Sequence, residues 1–360
     1  MNRTFTSLRI CYFGTLALTL LAVILRTVAM LCCFDATDPT TGGDLGYFRD
    51  GVLPVLCQVL CGLAVLCPLV CSLCISKQDA TALKSRTQTA VVAPSPVAVI
   101  PAAVTLTASV LFVVLFIQGI LHNQSWANLI ESMQASGRPI EIIKNTPGDR
   151  TLLALSLLGL ISALFFVARA GLKLGALITS LLACAVLAFG CVAIWDLYTD
   201  QPTTMNNAIK LSIQFGLVSL MLALTSEARA LLGKYAPRSG LAFHALAVFF
   251  CFNASIPNLV AYFAETVSPN RVHFILSSFL LAVAVYETFR FVQLILAYEA
   301  NEPQDTQADP VAEAAAEMTE VVSETEVKDE SPVSEDIIYM ESPADVSAEP
   351  ETSSAGGDES

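Results

Sequence analysis

The stretch CFNASIPNLVAYF, Cys251 to Phe263, places two amides (Asn253, Asn258), a hydroxyl (Ser255) and Pro257 inside a run that is otherwise apolar from Leu241 to Ala264. Proline removes a backbone donor and clashes with the turn before it, so carbonyls around Asn253 are freed where hydrocarbon offers them no partner. Interrupted helices of this kind hold substrates or ions near the middle of the bilayer in many transporters. A kinked helix whose Asn and Ser side chains bond neighbouring helices gives the same residue pattern, and the sequence leaves both open. Ideal helical geometry puts His244, Ser255 and Asn258 on one face and Asn253 opposite.

The next apolar segment offers titratable chemistry. His273, Ser277, Ala284 and Glu287 share one helical face, and Arg290 lies one turn beyond Glu287, which predicts a charge pair within the helix. A carboxylate at membrane depth points to proton or cation coupling, although neutralisation by Arg290 is a sufficient structural reason for it. The candidate intramembrane polar site is therefore Asn253, Ser255, Pro257, Asn258, His273, Glu287 and Arg290. Glu227 and Arg229 fall closer to a span end and read as interfacial anchors. Arg26 can snorkel, or pair with Asp35, Asp196 or Glu265.

Other chemistries are poorly served. Of 11 cysteines, five lie on a wide arc of one segment, at Cys57, Cys61, Cys67, Cys71 and Cys74. Thiolate ligands must be deprotonated, which hydrocarbon opposes, and no His or carboxylate accompanies them, so the arc reads as packing. No metal or other cofactor is expected. There is no HExxH, no pair of membrane-buried Asp residues, no GxSxG elbow with a His partner and no phosphate-cradling Gly loop, so the chain is read as not an enzyme.

The elements that must position these residues are membrane spans. Of the 360 residues 54% are hydrophobic and 14% charged, with mean hydropathy +0.64, too apolar for a water-soluble globule. About 20 residues cross about 30 Å of hydrocarbon. Eight segments qualify, at 8–33, 51–75, 103–121, 151–169, 174–195, 208–226, 241–264 and 271–297. The first follows Arg3 and Arg9 but is too long for a signal peptide, and reads as a retained span. The fold class is an all-α integral membrane protein of eight transmembrane helices in four hairpins. Ser212, Gly216, Ser219 and Ser226 form a small-residue seam along the sixth span, suited to close helix approach.

Connections divide the chain. A first hairpin (1–76) precedes a polar, Pro-containing linker (77–102) and a six-helix bundle (103–298), whose outer loop 122–150 carries Trp126, Leu129, Ile130 and Met133 at the spacing of a short interfacial helix. The segment 299–360 holds 19 Asp/Glu and one Lys, against 18 Lys/Arg and 13 Asp/Glu before it. Such a tail cannot bury a core and is expected to be disordered. Its apolar island EDIIYMES is the segment suited to a cytosolic protein partner. The other partner is the lipid bilayer, and nucleic acid is not expected.

These features support translocation of a small solute or ion by a permease-like protein. The rival reading is a membrane sensor or scaffold acting through the acidic tail. Arg3, Arg9, Lys77, Lys84, Arg86, Arg169, Lys173, Arg229, Lys234 and Arg238 would lie on one side and Arg49, Arg138, Lys144, Arg150, Lys210 and Arg271 on the other, which places both termini in the cytoplasm of a plasma-membrane protein. Cysteines introduced as Asp44→Cys and Ser136→Cys, in a background without reactive native thiols, should react with an impermeant thiol reagent added outside. Those at Lys84, Gly233 and Ser354 should not, and the opposite labelling pattern reverses the orientation.

Overall fold

A computed structural model of the chain describes residues 3–37, 44–75, 77–135, 149–199, 207–267 and 270–299. The acidic tail from 300 onward and the stretch 136–148 of the outer loop lie outside the described residues. Met1–Glu302 forms one compact unit. It contains α1 (Arg3–Cys32), a two-stranded ribbon of β1 (Phe34–Thr37) and β2 (Asp44–Phe48), α2 (Val52–Cys74), α3 (Lys77–Val92), a single 3-10 turn (Pro96–Ala98), α4 (Val99–Ala135), α5 (Asp149–Ala170), α6 (Ala176–Thr199), α7 (Ala208–Leu231), α8 (Pro237–Phe263) and α9 (Arg271–Glu299). All of these helices except α3 are long and apolar enough to cross a bilayer, eight in number among the described residues. The chain is thus a multi-pass helical membrane protein.

Helices α4 to α9 close into a ring: each packs on the next, and α4 meets α9. The ring has no open axis. Phe112 of α4, Phe165 and Phe166 of α5, Phe189 of α6, and Phe279 and Tyr286 of α9 fill it, all buried. Phe189 and Phe279 meet edge to face at 5.2 Å and Phe166 and Tyr286 at 5.7 Å, the geometry in which a ring edge meets a ring face favourably. The α1–α2 hairpin leans on α8 from outside the ring.

Two sequence expectations change here, and one connection gains structure of its own. The polar linker expected over 77–102 is largely the helix α3, because Leu83, Thr87 and Val91 recur every four residues and bury one stripe. That stripe docks α3 across the ends of α7, α8 and α9, which we call the α3 end of the bundle. The interfacial helix expected in loop 122–150 is a continuation of α4, which runs unbroken for 37 residues to Ala135. Finally, the connection after α1 is a ribbon, paired Phe34 to Phe48 and Asp35 to Tyr47.

That ribbon lies at the opposite, hairpin end and is fixed by one glycine. Gly46 has φ +66°, and a Cβ there would run into the side chain of Asn207. Asn207 caps α7, its side-chain oxygen accepting from the backbone N–H of Ile209 at 2.8 Å and of Lys210 at 3.4 Å. Across the ribbon Arg49 grips Asp35 with both Nε and Nη2, and this hydrogen bonding holds the Asp35 carboxyl below its ordinary range.

The small-residue seam of α7 faces α8 and α9. Ser212, Ser219 and Ser226 are buried, and a Cβ on Gly216 would meet Leu280 at 2.9 Å and Ala254 at 3.3 Å. Gly216→Val should therefore lower stability by about 1–3 kcal/mol through overpacking. On the outside of α2, a Cβ on Gly62 meets nothing within 4 Å, so Gly62→Ala should be neutral or raise stability by up to about 1 kcal/mol. Thermal melting of both variants in detergent measures the contrast.

Candidate functional site

The site begins with a helix end. Pro94 stops α3 because it has no N–H and excludes the helical conformation from the residue before it, and Pro96 removes a second donor two residues on. The carbonyls of Val91, Val92 and Ala93 are left without the amide partners a continuing helix would supply. Two arginines fill the gap. Arg169, at the end of α5, donates from Nη1 to Val92 O at 3.0 Å and from Nη2 to Val91 O, while Arg290 of α9 donates from Nη1 to Ala93 O at 2.8 Å. The Ser95 N–H in turn donates to Arg169 O at 2.7 Å, locking the break onto α5.

Both guanidiniums converge on Glu227 of α7. Arg169 Nε lies 3.3 Å from Oε2 and Arg290 Nε 3.6 Å from Oε1, and the Tyr286 hydroxyl donates to the same carboxylate at 2.9 Å. Tyr286 O also accepts from Arg290 Nε at 3.0 Å. Glu227 is wholly buried and Arg169 and Arg290 nearly so. Beside this group, His244 Nδ1 of α8 lies 2.6 Å from Glu287 Oε2 of α9, both wholly inaccessible. One proton is shared across that contact. His244 Nε2 and Glu287 Oε1 are buried with no hydrogen-bond partner among the described residues.

Ligand atoms of Glu227, His244 and Glu287 all lie within 4.8 Å of one another, a spacing compatible with a metal ion. The donors argue otherwise. Glu227 already accepts from the Tyr286 hydroxyl and is ion-paired with two guanidiniums, and a divalent cation would be pressed against two fixed positive charges. The arrangement is an ion-pair network of two carboxylates, two guanidiniums and one imidazole held at membrane depth.

The seven residues singled out in the sequence do not form one site. Glu287 and Arg290 belong to the network but do not pair with each other, since Glu287 bonds His244 and Arg290 serves Glu227. The residues at 253–258 lie further along α8. The helix runs continuously through Pro257, so of the two readings left open by the sequence it is the one in which Asn and Ser bond neighbouring groups, and not the interrupted helix, that the fold matches. Asn253 turns to α2, its Nδ2 3.7 Å from Cys61 Sγ, and Asn258 turns to α7, donating to Ser212 Oγ at 3.2 Å. The Ser255 hydroxyl donates to the Phe252 carbonyl of its own helix at 3.3 Å, and His273 sits in the first turn of α9, its N–H accepted by Asn270 at 3.3 Å.

Glu227, expected at the interface, is instead the centre of the network, and Arg26 bonds a backbone carbonyl, Ala208 O at 2.9 Å, instead of a carboxylate. Arg169, Tyr286 and His244 also escaped the sequence-based site. Depth would have found them: Arg169, Glu227, His244 and Glu287 all lie within about three turns of the α3 end of their helices.

No protein-family model matches the chain, and no curated protein or solved structure is significantly similar to it.

Removing the Glu227 charge leaves two buried guanidiniums facing each other, so Glu227→Gln should cost about 3–5 kcal/mol. Glu287→Gln keeps an acceptor for a neutral His244 and should cost about 1–3 kcal/mol. Parallel melting curves in one detergent compare the two, and a reversed order would place the fixed charges elsewhere.

Proposed function

We propose that this protein moves a small solute or ion across the plasma membrane, with both termini in the cytoplasm, and that the His244–Glu287 pair carries the coupled proton. The observation that carries the reading is the buried network itself. Five ionisable side chains plus the Tyr286 hydroxyl are drawn from four helices, and three of its buried polar atoms, His244 Nε2, Glu287 Oε1 and Arg290 Nη2, have no partner among the described residues. Charges at this depth are costly, and a bundle held only by packing has no use for a titrating pair beside a pair of fixed cations. Further along the α7–α8 contact lie other polar side chains: the Cys251 thiol donates to the Gly216 carbonyl at 3.5 Å and Asn258 to Ser212 Oγ at 3.2 Å. In this reading the solute passes between α7 and α8 when they part along their small-residue seam.

One observation favours the second reading, a sensor or scaffold working through the acidic tail: Glu287, Asn258 and Ser255 are wholly inaccessible, so no aqueous cavity joins them. The two readings part in reconstituted membranes. Capacitive currents recorded from proteoliposomes exposed to a panel of amino acids, organic acids, sugars and nucleosides should reveal a pH-dependent current for at least one solute. Glu287→Gln should abolish it, and a chain truncated after Asn301 should keep it. If no solute evokes current while truncation removes the cellular phenotype with expression intact, the tail is the working part and translocation is wrong.

A further inference from the structure

A second polar site lies away from the ionic network, at the hairpin half of the bundle. Between α2 and α7, floored by α1 and α8, is a cavity of about 730 Å³, a volume within the roughly 300–1,000 Å³ of small-molecule sites. Its walls are mostly apolar side chains. Leu66, Leu211 and Phe215 line it and are also exposed on the outer surface of the spans, so its mouth opens sideways between α2 and α7, toward hydrocarbon.

Two buried polar atoms on this cavity have no partner among the described residues. Arg26 uses Nη2 on the Ala208 carbonyl and leaves Nε unbonded; the titratable side chains beside it are Cys57 and Cys61, and no carboxylate among the described residues pairs with it. Asn253 uses Nδ2 on Cys61 and leaves Oδ1 without a donor. Orphan groups at membrane depth each cost free energy that a ligand can recover. The guanidinium calls for an anion and the amide oxygen for a donor, while the rest of the cavity calls for a hydrocarbon chain.

We propose that this cavity binds a single-chain anionic amphiphile entering from the bilayer, with its charged head on Arg26 and a hydroxyl or N–H of that head on Asn253 Oδ1. The lateral mouth selects an occupant already dissolved in lipid. The volume accommodates one chain and not two. A simple fatty acid carboxylate satisfies Arg26 but brings no donor to Asn253, so a head with its own hydroxyl groups is preferred. The inference does not rest on translocation, since binding is measured without flux.

The full-length chain in a neutral detergent would be melted against increasing lysophosphatidylglycerol, with lysophosphatidylcholine of the same chain length and oleate as comparisons. Lysophosphatidylglycerol should raise the melting temperature at the lowest concentration, oleate should require more, and lysophosphatidylcholine should have little effect. Arg26→Gln should weaken the apparent affinity about tenfold or more, and Asn253→Leu should remove the advantage over oleate. Should Arg26→Gln fail to fold, Gly62→Phe decides: Gly62 lines the cavity and a Cβ there meets nothing within 4 Å, so a bulky side chain starts from open space and takes up room at the mouth. Loss of the lysophosphatidylglycerol response in a folded Gly62→Phe protein supports the site. An unchanged response in that variant, or equal effects of the anionic and neutral lysolipids, overturns it.

Discussion

An arginine cannot be deprotonated inside a protein, so Arg169 and Arg290 enter the bundle as fixed charges and must be met where they stand. Glu227 meets both, and neither guanidinium is satisfied by it alone. Arg169 gives its two terminal nitrogens, and Arg290 its Nη1, to carbonyls of residues 91–93 that stand open because Pro94 and Pro96 interrupt the chain after α3. A proline pair, a carboxylate on α7 and arginines on α5 and α9 are therefore one device. It fixes the depth of three spans relative to α3 and holds the end of that helix against the bundle. The exposed salt bridge of Arg49 and Asp35 has no comparable reach, because water screens it and each partner is stable without the other.

Within the ring the contacts differ from side to side. Phenylalanines of α4, α5, α6 and α9 close the axis, while the buried part of the α7–α8 contact holds serines, a glycine and a cysteine, with Phe215 and Phe250 stacked at 5.6 Å beside it. Aromatic packing is stiff and tolerates little sliding, whereas small residues let two backbones shift past each other at low cost. The ionic network touches both sides, with Arg169 anchored in the aromatic half and His244 on the α7–α8 side.

The eight spans were legible because a bilayer imposes a single requirement, about 20 apolar residues, that each helix states by itself. The α7 seam was legible for the same reason, its residues lying on one face of one helix. What was not legible depends on several helices at once. His244 and Glu287 are 43 residues apart and Arg169 and Tyr286 are 117 apart, and periodicity along one segment carries no information about such pairs. The expected Glu287–Arg290 pair shows the error plainly: the two are neighbours on a helix face, but each has a better partner on another helix, and tertiary geometry prevails over spacing. Glu227 was misjudged because closeness to a helix end was taken for closeness to water, whereas α3 covers that end. The polarity of α3 concealed it, since the buried residues Leu83, Thr87 and Val91 leave only a faint stripe in a mostly polar segment.

The network also has a history in time. During synthesis α3 and its open carbonyls come first, then Arg169, then Glu227, and Arg290 last of all, and chains generally fold in that direction as they emerge. Arg169 can therefore rest on the α3 carbonyls while its carboxylate is still being made, and Glu227 arrives to a cation already in place. Only the final helix completes the network, bringing Arg290, Tyr286 and Glu287 together. A nascent chain that stops short of α9 leaves Glu227 without its hydroxyl donor, His244 without its carboxylate and the aromatic ring unfilled, three open contacts that one helix closes at once.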